Sequence, residues 1–151
     1  VWLTRKTADG QTEVLLQKRS REKESYPGCW DISCAGHLQT GDEYEEGALR
    51  ELEEELGITA EKNQLKFVGW NRDLTKENFR GRPYLDDELA KVYVLPMDTE
   101  PEQLKLQQEE VEEVRWMPLK LCMEKMQDPR WKHCLRSDEM EMLRTYLETE
   151  E

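Results

Sequence analysis

Apolar residues recur along this chain in two rhythms. Val1, Trp2 and Leu3 open it, a turn follows at Ala8-Asp9-Gly10, and Val14 to Leu16 lie within Glu13–Arg19; both runs predict strands. Residues 43–56 change period. Leu49, Leu52 and Leu56 stand three and four apart, on one face of a helix, and Gly57 sits where a helix-ending glycine belongs. Further strands are predicted around 65–71, 89–95 and 111–117. A helix is predicted from Pro118 and another over 137–149, with Met140, Leu143 and Leu147 on one face. Ser20 to Pro27 reads as a charged loop ending in a Pro-Gly turn. Strands and helices mix without βαβ alternation, which predicts an α+β fold or a mixed-sheet sandwich. Trp2, Trp70 and Trp116 fall in strand-like segments and are expected in the core. Trp30 and Trp131 fit either core or surface.

Length adds one constraint. At 151 residues, with no repeat or linker, the chain is expected to be one domain over 1–151. It begins at Val1 rather than Met, so residues upstream are expected. The 34 acids outnumber 22 bases, for a net charge of -12. That balance argues against a nucleic-acid partner, which would call for a basic stripe, and suits a protein that collects divalent cations. No apolar run approaches the roughly 18 residues of a membrane span, and no signal peptide opens the chain, so a cytoplasmic location is expected. Cys29, Cys34, Cys122 and Cys134 form no CxxC pair, and only His37 and His133 could join them in a zinc site. Reduced thiols are the expectation.

The segment richest in chemistry is GHLQTGDEYEEGALRELEEELGI, residues 36–58. Glu51, Glu54 and Glu55 stand at i, i+3 and i+4, so their carboxylates share one side of the helix. Like charges at that spacing cost about 0.2–0.5 kcal/mol per pair, and the helix dipole disfavours them in the last turn. Mg²⁺ or Mn²⁺ among the oxygens would reverse the balance. For the helix alone, an ordinary solvated acidic face is the commoner explanation, since glutamate-rich helices abound. The surrounding pattern decides between them.

That pattern resembles the signature of the Nudix hydrolase family, MutT-like enzymes that cut diphosphate linkages. Gly36, Arg50, Glu51, Leu52, Glu54, Glu55, Gly57 and Ile58 stand at the signature spacings, and Asp42 takes the place of the first Glu. The resemblance runs over nearly the whole chain and implies a mixed sheet between helices. It implies Glu51, Glu54 and Glu55 as metal ligands, Arg50 as a structural partner of a carboxylate, and Gly36 as a point of close backbone approach. A further ligand is implied at Glu110 in EEVEEVRWM, with Glu109 and Glu113 as neighbours that could substitute. Either Glu54 or Glu110 would be the general base. The implied cofactor is Mg²⁺ or Mn²⁺, and the implied partner is a small-molecule diphosphate. A homodimer stays open.

Within the family, YPGCWDISCAGH resembles the branch of isopentenyl diphosphate isomerase. Cys34, however, falls one residue before the isomerase cysteine, which predicts a buried small residue rather than an acid catalyst. Arg19 and Lys23 match diphosphate-contacting positions of that branch. Asp86 and Glu88 match its paired carboxylates and His37 a metal-binding histidine; additional metal ligation and plain polar roles both stay open. Arg80 and Arg82 form a second basic cluster that could clamp phosphate beside Tyr84, although a polar loop accounts for them too. The expected function is a metal-dependent diphosphate hydrolase. The alternatives are an isomerase of isoprenoid diphosphates and a Nudix ligand-binding module without catalysis.

Overall fold

Alternation along the strands sorts their side chains onto two faces. A computed structural model describes residues 1–35 and 43–150, with the side chains of 73–78 and 84–88 outside that description. The strands are β1 (Trp2–Lys6), β2 (Thr12–Arg19), β3 (Trp30–Asp31), β4 (Lys66–Phe79), β5 (Arg82–Pro96) and β6 (Val111–Pro118). The helices are α1 (Tyr44–Leu56), α2 (Leu119–Lys125) and α3 (Ser137–Thr149). Trp2, Val14, Leu16, Val92 and Val94 face one way and pack with Cys122 of α2 and with Met140 and Leu143 of α3. Their neighbours Leu3, Leu15, Tyr93 and Leu95 face the other way, against Leu52 and Leu56 of α1. Burying each such leucine contributes about 1.5–3 kcal/mol, which fixes α1 to its face of the sheet. The result is the expected α+β sandwich of a mixed sheet between helices.

β2 is the centre of the sheet. β6 pairs antiparallel along one edge, while β1 and β3 share the other in tandem, at Thr12–Val14 and Gln17–Lys18 respectively. β5 pairs parallel with β1 and antiparallel with β4. Where β1 and β2 part company, Ser33 fills the gap. Its buried hydroxyl accepts from Leu3 N–H at 2.8 Å and donates to the Leu15 carbonyl at 2.5 Å. Two backbone groups that would otherwise be orphaned are thus satisfied.

Two expectations need correction. The strands expected at 65–71 and 89–95 are the ends of one long hairpin, Lys66–Pro96, whose turn is Arg80-Gly81. Both turn residues have positive φ, 52° and 78°, as a tight two-residue hairpin requires. Arg80 and Arg82 therefore stand at a hairpin tip rather than in a loop. Trp70, expected in the core, is 49 % exposed, and Phe67 is 47 % exposed. A register shift between Phe67 and Gly69 places both rings beside the start of α1, where Trp70 meets Tyr44 edge-on at 5.4 Å. Trp2 is fully buried, and Trp116 is half-buried with its indole N–H on the Thr99 carbonyl at 2.7 Å. Among the described residues no helix is long and apolar enough to cross a membrane.

Candidate active site

The acids at the end of α1 are positioned by how that helix stops. Gly57 has φ 69° and its N–H reaches the Glu53 carbonyl at 3.0 Å. A β-carbon on Gly57 would lie 2.7 Å from the Lys105 Cβ and 3.2 Å from its backbone N and O. Glycine is therefore required twice, for the left-handed conformation and for the close approach. That approach lets a second segment dock: Lys105 N–H donates to the Leu56 carbonyl and Gln107 N–H to the Glu55 carbonyl, each at 3.0 Å. These bonds satisfy carbonyls that the helix end leaves without intrahelical partners. A turn then follows, with Glu110 N–H on the Gln107 carbonyl at 2.9 Å and Val111 N–H on the same oxygen at 2.8 Å. Glu110 is delivered beside the acids of α1.

Glu55 is the buried member, only 5 % exposed. Its Oε1 accepts from Gln17 Nε2 at 3.2 Å, and its Oε2 lies 3.7 Å from Cys34 Sγ. Burial pushes its carboxyl up to about 7; the Gln17 hydrogen bond opposes the rise, while Glu51, which also hydrogen-bonds to it, and Glu110 add to it. Cys34, 1 % exposed, is raised well above the ordinary thiol range by burial and by Glu55. Glu51 is partly covered, with Arg50 Nη2 at 3.6 Å from its Oε1, and Glu54 is exposed. Among the described residues, no three His, Cys, Asp or Glu side chains stand close enough together to ligate one ion. The donor set is nevertheless all oxygen and all anionic, and its members repel one another. That chemistry fits a hard divalent cation.

Loop 20–29 forms the other wall. Arg19, at the end of β2, donates to the Ser25 carbonyl at 3.1 Å and the Ser25 hydroxyl at 3.0 Å, and pairs with Asp31 at 3.2 Å. Its guanidinium holds the loop from within. Lys23 Nζ pairs with Glu110 Oε2. The hairpin tip leans on the same loop, through Arg80 Nη2 on the Arg21 carbonyl at 2.9 Å and Tyr26 against Phe79 at 4.7 Å.

The structure thus brings Glu51, Glu55, Glu110 and Lys23 together and sets Arg80 against the adjoining loop. Arg82 is exposed at the tip. Asp86 and Glu88 lie on β5 opposite Thr75 and Asp73, with side chains outside the description. Gly36, His37 and Asp42 fall outside the described residues. Cys34 is buried as expected, yet it faces Glu55 rather than turning away from the acids. Gln17 was not among the candidates. Its signal was a polar residue directly after the apolar run Val14–Leu16; it is buried and donates to Glu55 and, at 2.9 Å, to the Ser33 carbonyl.

Comparison with known proteins bears on the family and the fold. The family model for the NUDIX domain matches residues 4–136. Nudix hydrolase 3 of Arabidopsis thaliana is 37% identical over 122 residues, covering 78% of this chain and 15% of that protein. An isopentenyl-diphosphate Delta-isomerase of Paenarthrobacter aurescens is 47% identical, but over only 53 residues, 35% of this chain and 29% of the isomerase. The chain therefore spans well under half the length of either curated relative. Among solved structures, the NUDIX domain of Shewanella oneidensis NrtR complexed with ADP ribose superposes with a TM-score of 0.64 at 21% identity, covering 97% of this chain and 84% of that one. With the domain model matched over most of its length and the fold shared, this chain belongs to the Nudix hydrolase family.

Proposed function

We propose that this chain is a divalent-metal-dependent hydrolase that cleaves the diphosphate linkage of a nucleoside diphosphate derivative or a related small diphosphate. One observation carries the reading: Glu55 is buried, hydrogen-bonded with Glu51 and under the electrostatic influence of Glu110, a set of carboxylates unfavourable as bare anions and favoured by a cation. Glu51, Glu54, Glu55 and Glu110 would hold Mg²⁺ or Mn²⁺. When bound, the ion supplies Lewis acidity toward phosphate oxygens and makes water more acidic. The chain does the rest. Glu54 or Glu110 takes the proton of the attacking water. Gln17 fixes the Glu55 carboxylate. Lys23, Arg80 and Arg82 orient the diphosphate by charge-assisted hydrogen bonds, and Arg19 acts through the loop it braces. The nucleotide class is favoured by the ADP ribose bound to the NrtR domain of like fold.

A panel of nucleoside diphosphate derivatives and isoprenoid diphosphates, incubated with Mg²⁺ in ¹⁸O-water, tests the reading. The expected products carry label in phosphate. A second reading, isomerisation of an isoprenoid diphosphate, is favoured by Cys34 lying against Glu55 and by the 53-residue match to the isomerase. It requires an accessible thiol, and Cys34 is buried. Conversion of isopentenyl diphosphate that is lost in Cys34→Ala, with no label in phosphate, would make the second reading the right one.

A further inference from the structure

Glu110, a residue assigned to hold a divalent cation, already holds a cation of the chain's own. Lys23 Nζ sits on Glu110 Oε2. The backbone around this pair is fixed on both sides. Ser20 N–H donates to the Glu110 carbonyl at 3.0 Å, Lys23 N–H to the Ser20 carbonyl at 3.2 Å, and Glu22 N–H to the Ser20 hydroxyl at 3.2 Å. The turn bearing Lys23 is therefore laced to the residue it pairs with, and the hairpin tip holds the turn from outside through Arg80 and Phe79. On a held turn only the side chain is free to move, and a lysine has a four-carbon stem for it. Both partners are partly open to solvent, with 26% of the Lys23 and 38% of the Glu110 side chain exposed. Such a pair is weak enough to exchange. Glu55 and Glu51 at the end of α1 are near enough to Glu110 for their charges to bear on one another, so the pair with Lys23 lies at the edge of the acidic site.

We propose that Lys23 is an exchangeable counter-ion of the site: it neutralises Glu110 in the metal-free chain and, when a divalent cation takes that carboxylate, its ammonium is turned out toward the anionic diphosphate. The proposal rests on the hydrolase reading above. It makes metal and Lys23 competitors for one oxygen, and it makes the displaced ammonium a partner of the substrate. By linkage, a bound diphosphate then strengthens metal binding, and the reverse. A lysine that only braces the loop would show neither effect.

The test is Mn²⁺ binding, read by electron paramagnetic resonance of the free ion without substrate, in the parent, Lys23→Met, Glu110→Gln and the double variant. Lys23→Met is expected to bind Mn²⁺ about two- to fivefold more tightly, the scale of a partly exposed ion pair. The gain should vanish in the Glu110→Gln background, as coupling between the two side chains requires. Lys18→Met removes a charge that pairs instead with Glu112 at 3.7 Å and should leave Mn²⁺ affinity unchanged. With Mn²⁺ saturating, methylenediphosphonate should bind Lys23→Met more weakly than the parent. Unchanged or weaker Mn²⁺ binding in Lys23→Met, or equal tightening in the Glu110→Gln background and in Lys18→Met, overturns the exchange. Glu51→Gln and Glu55→Gln separate this failure from a deeper one. If they bind Mn²⁺ as well as the parent, the metal site itself falls and the exchange with it; if they bind poorly while Lys23→Met is unmoved, only the exchange falls.

Discussion

The two ends of α1 treat a glutamate in opposite ways. In the first turn, Glu45 accepts from the Tyr93 hydroxyl at 2.9 Å and lies 3.7 Å from Lys91 Nζ. The Tyr93 hydrogen bond, with help from Lys91, holds its carboxyl below the usual range. Lys91 in turn sits 5.2–5.3 Å from the rings of Tyr44, Phe67 and Trp70. The last turn of the same 13-residue helix differs, with Glu55 buried, hydrogen-bonded with Glu51, under the influence of Glu110 and raised to about 7. An acid placed for stability, as Glu45 is, stays partly open to solvent, paired and easily ionised. Glu55 breaks all three rules, and a fold tolerates that where something outside the chain restores the balance.

The comparison can be broken most directly at Glu55. Glu55→Gln, and likewise Glu51→Gln, should lower turnover by about three orders of magnitude, the equivalent of roughly 4 kcal/mol of transition-state stabilisation. With chelator present at pH 8, Glu55→Gln should melt no lower than the parent, since it keeps the shape and removes a buried charge. A clear fall in melting temperature there would mean that Glu55 is a structural anchor.

Gly57→Ala comes next. Left-handed backbone costs a non-glycine residue about 1–2 kcal/mol, and contact with Lys105 adds to it. Denaturant unfolding should show at least that loss, and turnover should fall with it because Glu110 is carried by the segment that Gly57 admits. Full activity in a destabilised variant would uncouple Glu110 from the helix end.

A subtler contrast lies in pH. A carboxyl at about 7 in the fold and about 4.3 in the unfolded chain binds its proton more tightly when folded. Its contribution to metal-free stability is complete only below about pH 4.3 and is lost as pH rises through about 7. Melting curves in chelator should show this fall in the parent and not in Glu55→Gln, and Mg²⁺ should flatten it. A parent curve that rises across that window would contradict the buried-acid assignment.

The smallest effect belongs at the other end of the helix. Lys91→Met should cost about 1 kcal/mol, the scale of a partly exposed ion pair and cation–π contact, with turnover unchanged. A large loss of activity would mean that the aromatic surface takes part in the reaction.

Much of this was legible in the sequence because it rests on spacing. The helix of Leu49, Leu52 and Leu56, its stop at Gly57 and the clustering of Glu51 and Glu55 all follow from the 3.6-residue period. Burial of Glu55 did not follow, because it depends on Gln17 of β2 and on Cys34 in the segment after β3, both distant in the chain. The middle of the hairpin Lys66–Pro96 was invisible for a different reason. In the described strand ladder, residues 72–90 pair only with one another, beyond the strands that bury the core, so that stretch needs no apolar face for a period to reveal. Trp70 misled because an aromatic in a strand suggests a core, whereas its strand lies at the sheet edge and its ring leans on Tyr44.

The seam between Leu56 and Lys105 also bears on how the molecule opens. The amides of Lys105 and Gln107 are tied to carbonyls of the last helical turn, so solvent reaches them only when that turn lets go. Hydrogen exchange at these two amides should therefore proceed at a common rate with the amides of the helix end, as one cooperative unit. Any fluctuation that separates Glu55 from Glu110 must first break two backbone bonds, and the slowing of that exchange by Mg²⁺ would report occupancy of the site in a protein whose substrate has not yet been added.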